Sequence, residues 1–153
     1  MKVFLNSAKP PSSLRAVTAY FNLGGFATLN QGLNKPDSVK ILIGKEQERE
    51  FILGEHLRAE KEAPSLIREF EEFLSQNKVE VRAYKKKFLH GKAYIIEGIP
   101  FIGSIGIVGS SNFTQAELES NFELNAVLKQ ESAVRDLIEW FERFWNEAED
   151  YKS

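Results

Sequence analysis

Short apolar runs at strand spacing dominate the second half of the chain. In a strand, side chains alternate between the two faces of a sheet, so alternation or a compact β-branched run predicts a strand. The run Ser38–Gly44 is apolar at most positions, which is typical of a strand buried on both faces. We predict a short strand at Lys2–Leu5 and four later strands, at Val79–Tyr84, Lys92–Ile96, Phe101–Val108 and Asn121–Leu128.

Other apolar residues recur every three or four positions, which is the spacing of one helix face. The first such segment follows Pro10–Ser13, with a serine as N-cap, and Gly24-Gly25 would end it; its apolar positions are Leu14, Val17, Tyr20 and Phe21. We predict a second short helix from Phe26 to Leu33, ended near Gly32 and Pro36.

Two longer amphipathic helices complete the pattern. One follows Pro64, with an apolar face made of Leu66, Ile67, Phe70, Phe73 and Leu74. The other closes the chain, with a buried stripe made of Val134, Leu137, Ile138, Phe141, Trp145 and Ala148. The charged stretch Lys45–Glu62 is ambiguous and fits a partly exposed helix. The order of elements predicts an α/β fold, a mixed β-sheet flanked by α-helices on both faces.

At 153 residues the chain fits one domain, spanning residues 1–153. The last helix runs close to Ser153 without a stop signal, so we expect the domain to come from the N-terminal part of a longer protein. No apolar run reaches the roughly 18 residues that span a bilayer, and we predict no membrane partner. The chain has no cysteine, which is compatible with the cytoplasm.

The formal net charge of −2 argues against binding a polyanion through bulk positive charge. Any polyanion site must be a local basic pocket. Only His56 and His90 are available for histidine chemistry. His90 and Lys92 are two residues apart and would share a strand face. A neutral imidazole can attack phosphorus while an ammonium stabilises the developing charge. Taken alone, such a pair also occurs on ordinary surface strands.

Two polar segments follow the histidine. Gly109–Asn112 would present backbone N–H groups, a hydroxyl and an amide to an anion, or it is a plain loop in which Thr114 caps a short helix. Asn121–Asn125 places Asn121, Glu123 and Asn125 on one face, where a carboxylate could orient a histidine ring. Its alternative interpretation is a half-exposed strand with a polar outer face.

In this order the three segments resemble the phospholipase D superfamily, most of all its single-motif members in nucleases, restriction enzymes and helicase N-terminal domains. The upstream segments around Tyr20-Phe21 and Val39–Gly44 also look like this family, and residues 45–62 match it least. The fold expected from the resemblance is a phospholipase-D-like mixed sheet between helices.

The resemblance implies a role for each residue of the candidate site. His90 would be the nucleophile that forms a phosphohistidine. Lys92 and Asn112 would bind the phosphate oxygens with help from Ser110, and Glu123 would hold the His90 ring. The family works without a metal or other cofactor, and the chain shows no cluster of ligand spacing.

Glu97 departs from the family motif His-x-Lys-x4-Asp. In the family that Asp is largely structural, and helicase-linked and restriction-type members often lack it. We interpret the change as marking this subgroup, while it leaves the level of activity open.

A single motif supplies one histidine, which cannot both carry the phosphate and serve as acid and base in the same step. His56 lies in a charged stretch typical of a surface. The second histidine would therefore come from another copy across a two-fold axis, which predicts a homodimer.

Lys85, Lys86 and Lys87 precede the motif, either as a solvated strand end or as contacts to a phosphate backbone. We predict a metal-independent endonuclease acting on nucleic acid, with DNA as the first choice. A fused or associated helicase or DNA-recognition domain would supply any sequence preference. One alternative is a non-catalytic nucleic-acid-binding or dimerisation module of a helicase or restriction assembly, which Glu97 supports. The other is a phospholipid phosphodiesterase.

Overall fold

The computed structural model describes residues 2–18, 32–44, 64–86, 92–109 and 125–151. Three helices and seven strands have defined bounds within these ranges. In chain order they are α1 (Lys2–Ser7), β1 (Ser13–Val17), β2 (Ser38–Gly44), α2 (Pro64–Ser75), β3 (Val79–Tyr84), β4 (Ala93–Ile99), β5 (Gly103–Gly109), β6 (Asn125–Leu128), α3 (Glu131–Glu147) and β7 (Glu149–Asp150).

The described strands form one mixed sheet in the order β6-β5-β4-β1-β2-β3-β7. β1 lies near the centre, parallel to β2 and antiparallel to β4, with Leu14 opposite both Val39 and Ile96. β2 and β3 are also parallel, whereas β4, β5 and β6 pair antiparallel in succession. The sheet therefore has a parallel half and an antiparallel half that meet at β1.

Helices cover both faces of the sheet. On one face Leu14, Ile41 and Ile96 pack with Leu5 of α1 and with Phe70 and Phe73 of α2. On the other face Val17, Leu42, Tyr84 and Ile95 pack with Val134, Phe141 and Trp145 of α3. A strand buried on both faces carries apolar residues at odd and even positions alike, as β2 does. The predicted fold class is confirmed.

A band of charge crosses the face covered by α3. The Arg15 guanidinium in β1 binds the Glu97 carboxylate of β4 and donates to Glu142 of α3 at 2.8 Å. Lys40 of β2 lies 3.4 Å from the same Glu142 oxygen, and the Ser13 hydroxyl donates to Glu97 at 3.1 Å. Burial disfavours the charged Glu142, but hydrogen bonds and charge from Arg15 and Lys40 outweigh it and lower the pKa of this carboxyl.

Two of the predicted N-terminal elements are wrong. Residues Lys2–Ser7 form a helix because Leu5 and Ala8, three positions apart, are the buried ones, and the Ser7 hydroxyl donates to the Val3 carbonyl at 2.8 Å. Ser13–Val17 is a strand, not a helix. The i, i+3 spacing of Leu14 and Val17 suits a helix, but these side chains enter the cores on opposite faces of the sheet.

The other predicted elements that fall in described ranges are confirmed, with shifted ends. β5 begins at Gly103 because residues 100–102 form a turn, in which Phe101 has a φ of 69°. Residues 32–34 are helical, as predicted for the end of the second helix. Tyr20, Phe21, Gly24-Gly25, residues 45–62 and residues 121–124 lie outside the described residues. Among the described helices, none is long and apolar enough to cross a bilayer.

Replacing Arg15 by methionine removes the cation that the Glu97 and Glu142 carboxylates share. We expect the free energy of unfolding to fall by about 2 kcal/mol, between the values for exposed and for buried ion pairs. Arg135→Met is the matched control, because its partner Glu131 is 2.9 Å away with side chains 62% and 89% exposed. That variant should lose less than about 0.5 kcal/mol. Urea denaturation measures both, and equal losses would contradict a structural role for the charge band.

Candidate active site

Six strand ends meet at one edge of the sheet. β1, β2, β3 and β5 end there, and β4 and β6 begin there, as the pairing directions require. The segments that follow or precede these ends along the chain include all three polar motifs of the sequence. We call this the motif edge.

Backbone pairing at the motif edge joins the described ends of the three motifs. Lys92 lies directly before β4, and its carbonyl accepts a hydrogen bond from the Gly109 N–H at 3.3 Å. Gly109, the last residue of β5, is in turn paired with Asn125, the first residue of β6. Lys92, Gly109 and Asn125 therefore lie side by side. The structure brings together the end of His-x-Lys, the start of Gly-Ser-Ser-Asn and the end of Asn-x-Glu-x-Asn.

Most of the predicted site residues lie outside the described residues: Lys87, His90, Ser110, Asn112 and Glu123. Their roles stay predictions. The covalent chain nevertheless limits how far His90 and Glu123 can lie from the motif edge, because two extended residues span at most roughly 7 Å. His90 precedes Lys92 by two residues, and Glu123 precedes Asn125 by two.

Lys85 and Lys86 follow β3 at the motif edge, with side chains 40% and 62% exposed. Neither is a bare cation. Lys85 Nζ lies 3.1 Å from a Glu149 oxygen, and Lys86 Nζ lies 4.0 Å from a Glu147 oxygen. A bound phosphate would compete with these carboxylates. Sequence reasoning missed both acids, since their positions some 60 residues later carry no local sign of this pairing.

Tyr84, the last residue of β3, contacts the same Glu147 carboxylate as Lys86. Its ring is buried and lies edge-on to Phe144, with centroids 5.1 Å apart. Its hydroxyl donates to Glu147 Oε2 at 3.4 Å. Burial raises the pKa of this phenol, and the neighbouring Glu147 carboxylate raises it further. Tyr84 is therefore a proton donor toward Glu147.

Glu97 lies away from the motif edge. It follows Lys92 by five residues in an extended strand, roughly 16 Å along the chain. Its carboxylate is held by Ser13 and Arg15 in the charge band. The departure from the family's Asp thus falls in a structural ion pair between β1 and β4.

A pocket of about 400 Å³ opens at the opposite end of the sheet and is also distant from the motifs. Its lining mixes both charges with apolar groups and includes Glu97, Ile102, Ser104, Lys129 and Arg135. Among the described residues, no group of three or more His, Cys, Asp or Glu side chains could hold a metal ion. None of the described motif residues Lys92, Gly109 and Asn125 lines this pocket.

Residues 1–145 match the family described as "Cardiolipin synthase, PLD-like domain". This match covers most of the 153 residues, so the chain belongs to this phospholipase-D-like family. Members of the phospholipase D superfamily are phosphodiesterases. The resemblance inferred from His90-x-Lys92 and the segments after it is confirmed at the level of the superfamily.

One curated relative is a probable cardiolipin synthase, YwiE, of Bacillus subtilis (strain 168). It is 34% identical to this chain over 71 residues, which are 46% of this chain but only 13% of that protein. The match thus concerns a small part of the relative.

Three solved structures share the fold. Nuc from Salmonella typhimurium, a phospholipase D family member, superposes with a TM-score of 0.61 at 19% identity, covering 99% of this chain and 88% of that one. NucT from Helicobacter pylori gives 0.59 at 12% identity, covering 97% and 87%. TrmBL2, an archaeal chromatin protein with a novel mode of DNA binding, gives 0.58 at 16% identity. This superposition covers 97% of the present chain and about half of TrmBL2 (48%).

Proposed function

We propose that the chain is a phosphodiesterase that cleaves the nucleic-acid backbone through a phosphohistidine on His90, without a metal. One observation carries the proposal. The hydrogen bond between Gly109 and Lys92 and the pairing of Gly109 with Asn125 place the described ends of all three motifs side by side. An arrangement of this kind supports one shared site.

In the first step an imidazole nitrogen of His90 attacks phosphorus, a P–N bond forms and the P–O bond to the leaving alcohol breaks. Lys92 and Asn112, with Ser110, would hold the phosphate oxygens as their charge grows. Glu123 would fix the His90 ring. In the second step water attacks phosphorus, the P–N bond breaks and the imidazole is regenerated.

The leaving oxygen needs a proton in the first step, and the water must lose one in the second. We assign both transfers to His90 of the partner subunit, with a two-fold axis passing through the shared site. Within one turnover, one His90 would then be the nucleophile, and the partner's His90 would be the acid in the first step and the base in the second. The homodimer is thus part of the proposed mechanism.

Nucleic acid is the proposed substrate because Lys85 and Lys86 flank the motif edge, where backbone phosphates would be contacted. The chain also corresponds to nearly the whole of the similar structures Nuc and NucT. DNA is the first choice, and a fused or associated helicase or DNA-recognition domain, as in restriction or helicase assemblies, would supply sequence preference.

A phospholipid substrate is the second candidate. The observation that favours it is the 34% identity to a probable cardiolipin synthase, together with the description of the matched family. A non-catalytic DNA-binding module is the third outcome to be tested, since TrmBL2 has a similar fold. Both alternatives keep the fold and differ in what the motif edge contacts.

Cleavage of a single-stranded DNA oligonucleotide should persist in excess EDTA and fall at least about 10³-fold in His90→Ala, because the nucleophile is lost. Phosphatidylcholine vesicles, assayed in parallel for released headgroup, should be hydrolysed far more slowly. Circular dichroism should show that the variant remains folded.

Faster attack on the vesicles would make the phospholipid the substrate. DNA binding without cleavage by wild-type protein would favour the binding module. Activity that EDTA abolishes would contradict the metal-independent mechanism.

Lys92→Gln should lower kcat/KM about 10² to 10³-fold, because the ammonium that faces the phosphate oxygens is lost. Its side chain is half-buried before the start of β4, so folding should persist. Lys129→Gln is the matched control, because Lys129 lines the pocket at the other end of the sheet. Steady-state DNA cleavage by both variants tests this, and similar losses would point to a general effect of charge.

Mixing wild-type and His90→Ala subunits tests the shared site. If both histidines are needed and subunits exchange, an equal mixture should keep about a quarter of the activity of the undiluted wild type, because only wild-type pairs work. Independent sites would leave about half. Sedimentation under assay conditions should show a dimer, and a fully active monomer would overturn the assignment.

A further inference from the structure

The C-terminal end of the described chain lies alongside β3. β7 pairs antiparallel with β3, with Glu149 opposite Ala83 and Asp150 opposite Arg82. The Tyr151 N–H donates to the Val81 carbonyl at 2.9 Å. These bonds fasten the segment after α3 along the outer side of β3, up to the motif edge.

A side-chain anchor at the end of α3 strengthens this attachment. Arg82 donates to the Trp145 carbonyl at 2.9 Å and stacks over the Trp145 ring at 4.5 Å from its centroid. Trp145 itself is buried against Phe141. The position of Glu147 and Glu149, only two and four residues later, is therefore set by a buried part of the fold.

Glu147 and Glu149 contact Tyr84, the last residue of β3, and the two lysines that follow it. Glu147 Oε2 accepts from the Tyr84 hydroxyl at 3.4 Å and lies 4.0 Å from Lys86 Nζ. Glu149 lies 3.1 Å from Lys85 Nζ. One carboxylate oxygen thus bridges the buried Tyr84 and the exposed Lys86.

Residues 85–92, which connect β3 to β4, include His90. The later end of this connection is held by the hydrogen bond from Gly109 to the Lys92 carbonyl. The earlier end is held by Glu147 and Glu149. Only four positions separate Lys86 from His90, so the covalent chain keeps His90 within roughly 14 Å of the held end of β3.

We propose that Glu147 and Glu149 are positioning residues, which hold Tyr84, Lys85 and Lys86 and so place the connection that carries His90 for attack on phosphate. This inference rests on the proposed role of His90. Exposed ion pairs contribute little to global stability, whereas a displacement of about 1 Å at a reacting group can cost about 10²-fold in rate. The effect of these acids should therefore show in kcat and hardly in unfolding.

A competing explanation makes the opposite kinetic prediction. Two carboxylates beside a phosphate-binding edge could simply mask Lys85 and Lys86. Removing the acids would then strengthen attraction to a polyanion and lower KM, with kcat unchanged. The two explanations are separated by whether kcat falls.

The double variant Glu147→Gln, Glu149→Gln tests the proposal, with cleavage of a single-stranded DNA oligonucleotide in EDTA as the assay. Glu131→Gln is the matched control, since Glu131 forms an exposed ion pair at the other end of the same helix. We expect kcat to fall about tenfold in the double variant, whereas KM should stay the same or fall, because Lys85 and Lys86 no longer have carboxylate partners that compete with phosphate. The control should keep wild-type values. Hydrogen–deuterium exchange of the peptide covering residues 84–93 should rise in the double variant only, with the melting temperature unchanged.

A change in KM at unchanged kcat, or wild-type kinetics throughout, would overturn the positioning role. If wild-type protein does not cleave DNA, the proposed function fails, and hydrogen exchange alone then decides. Unchanged exchange in residues 84–93 of the double variant overturns the inference, and raised exchange supports the placement of the connection by Glu147 and Glu149.

Discussion

The hydrogen bond from the Gly109 N–H to the Lys92 carbonyl joins the two strand ends on which the proposed site depends. It exists because β4 runs antiparallel to β1, which brings the start of β4 to the edge where β1, β2 and β3 end. β5 and β6 then follow by simple antiparallel pairing and return to the same edge. Lys92 and Asn125, 33 positions apart in the chain, thus come together with Gly109 between them, and backbone pairing alone is enough to bring them there.

The charge band on the sheet face covered by α3 stabilises the fold. Arg15 binds Glu97 and Glu142, and Lys40 joins them, so three strands and α3 are tied through one charge band. This band accounts for Glu97, whose carboxylate has a structural partner far from Lys92. It also helps to set how α3 crosses the sheet, which in turn brings its C-terminal end to the end of β3. Structure and proposed chemistry are therefore linked through one helix.

Strand spacing predicted β2 to β6 because period-two or continuous apolar runs are long enough there to exclude a helix. The predictions for Lys2–Ser7 and Ser13–Val17 were wrong because five or six residues fit either the helical or the strand period. Ser13–Val17 is a strand because it pairs with β2 on one side and with β4 on the other. β7 is too short to leave a pattern. The order of the motifs along the chain indicated the family, and the site residues stay a prediction from the same motifs. The pairing of Lys85 with Glu149 depends on tertiary structure, and no local spacing signals it.

The central claim is that His90, next to Lys92 at the motif edge, carries the phosphate during turnover. Its most direct test is to quench a reaction with a DNA oligonucleotide in EDTA, digest the protein under alkaline conditions that preserve phosphohistidine, and locate the adduct by mass spectrometry. We expect a nucleotide joined through a P–N bond to His90, and none in His90→Ala. An adduct on another residue, or DNA cleavage with no covalent adduct at His90, would contradict it.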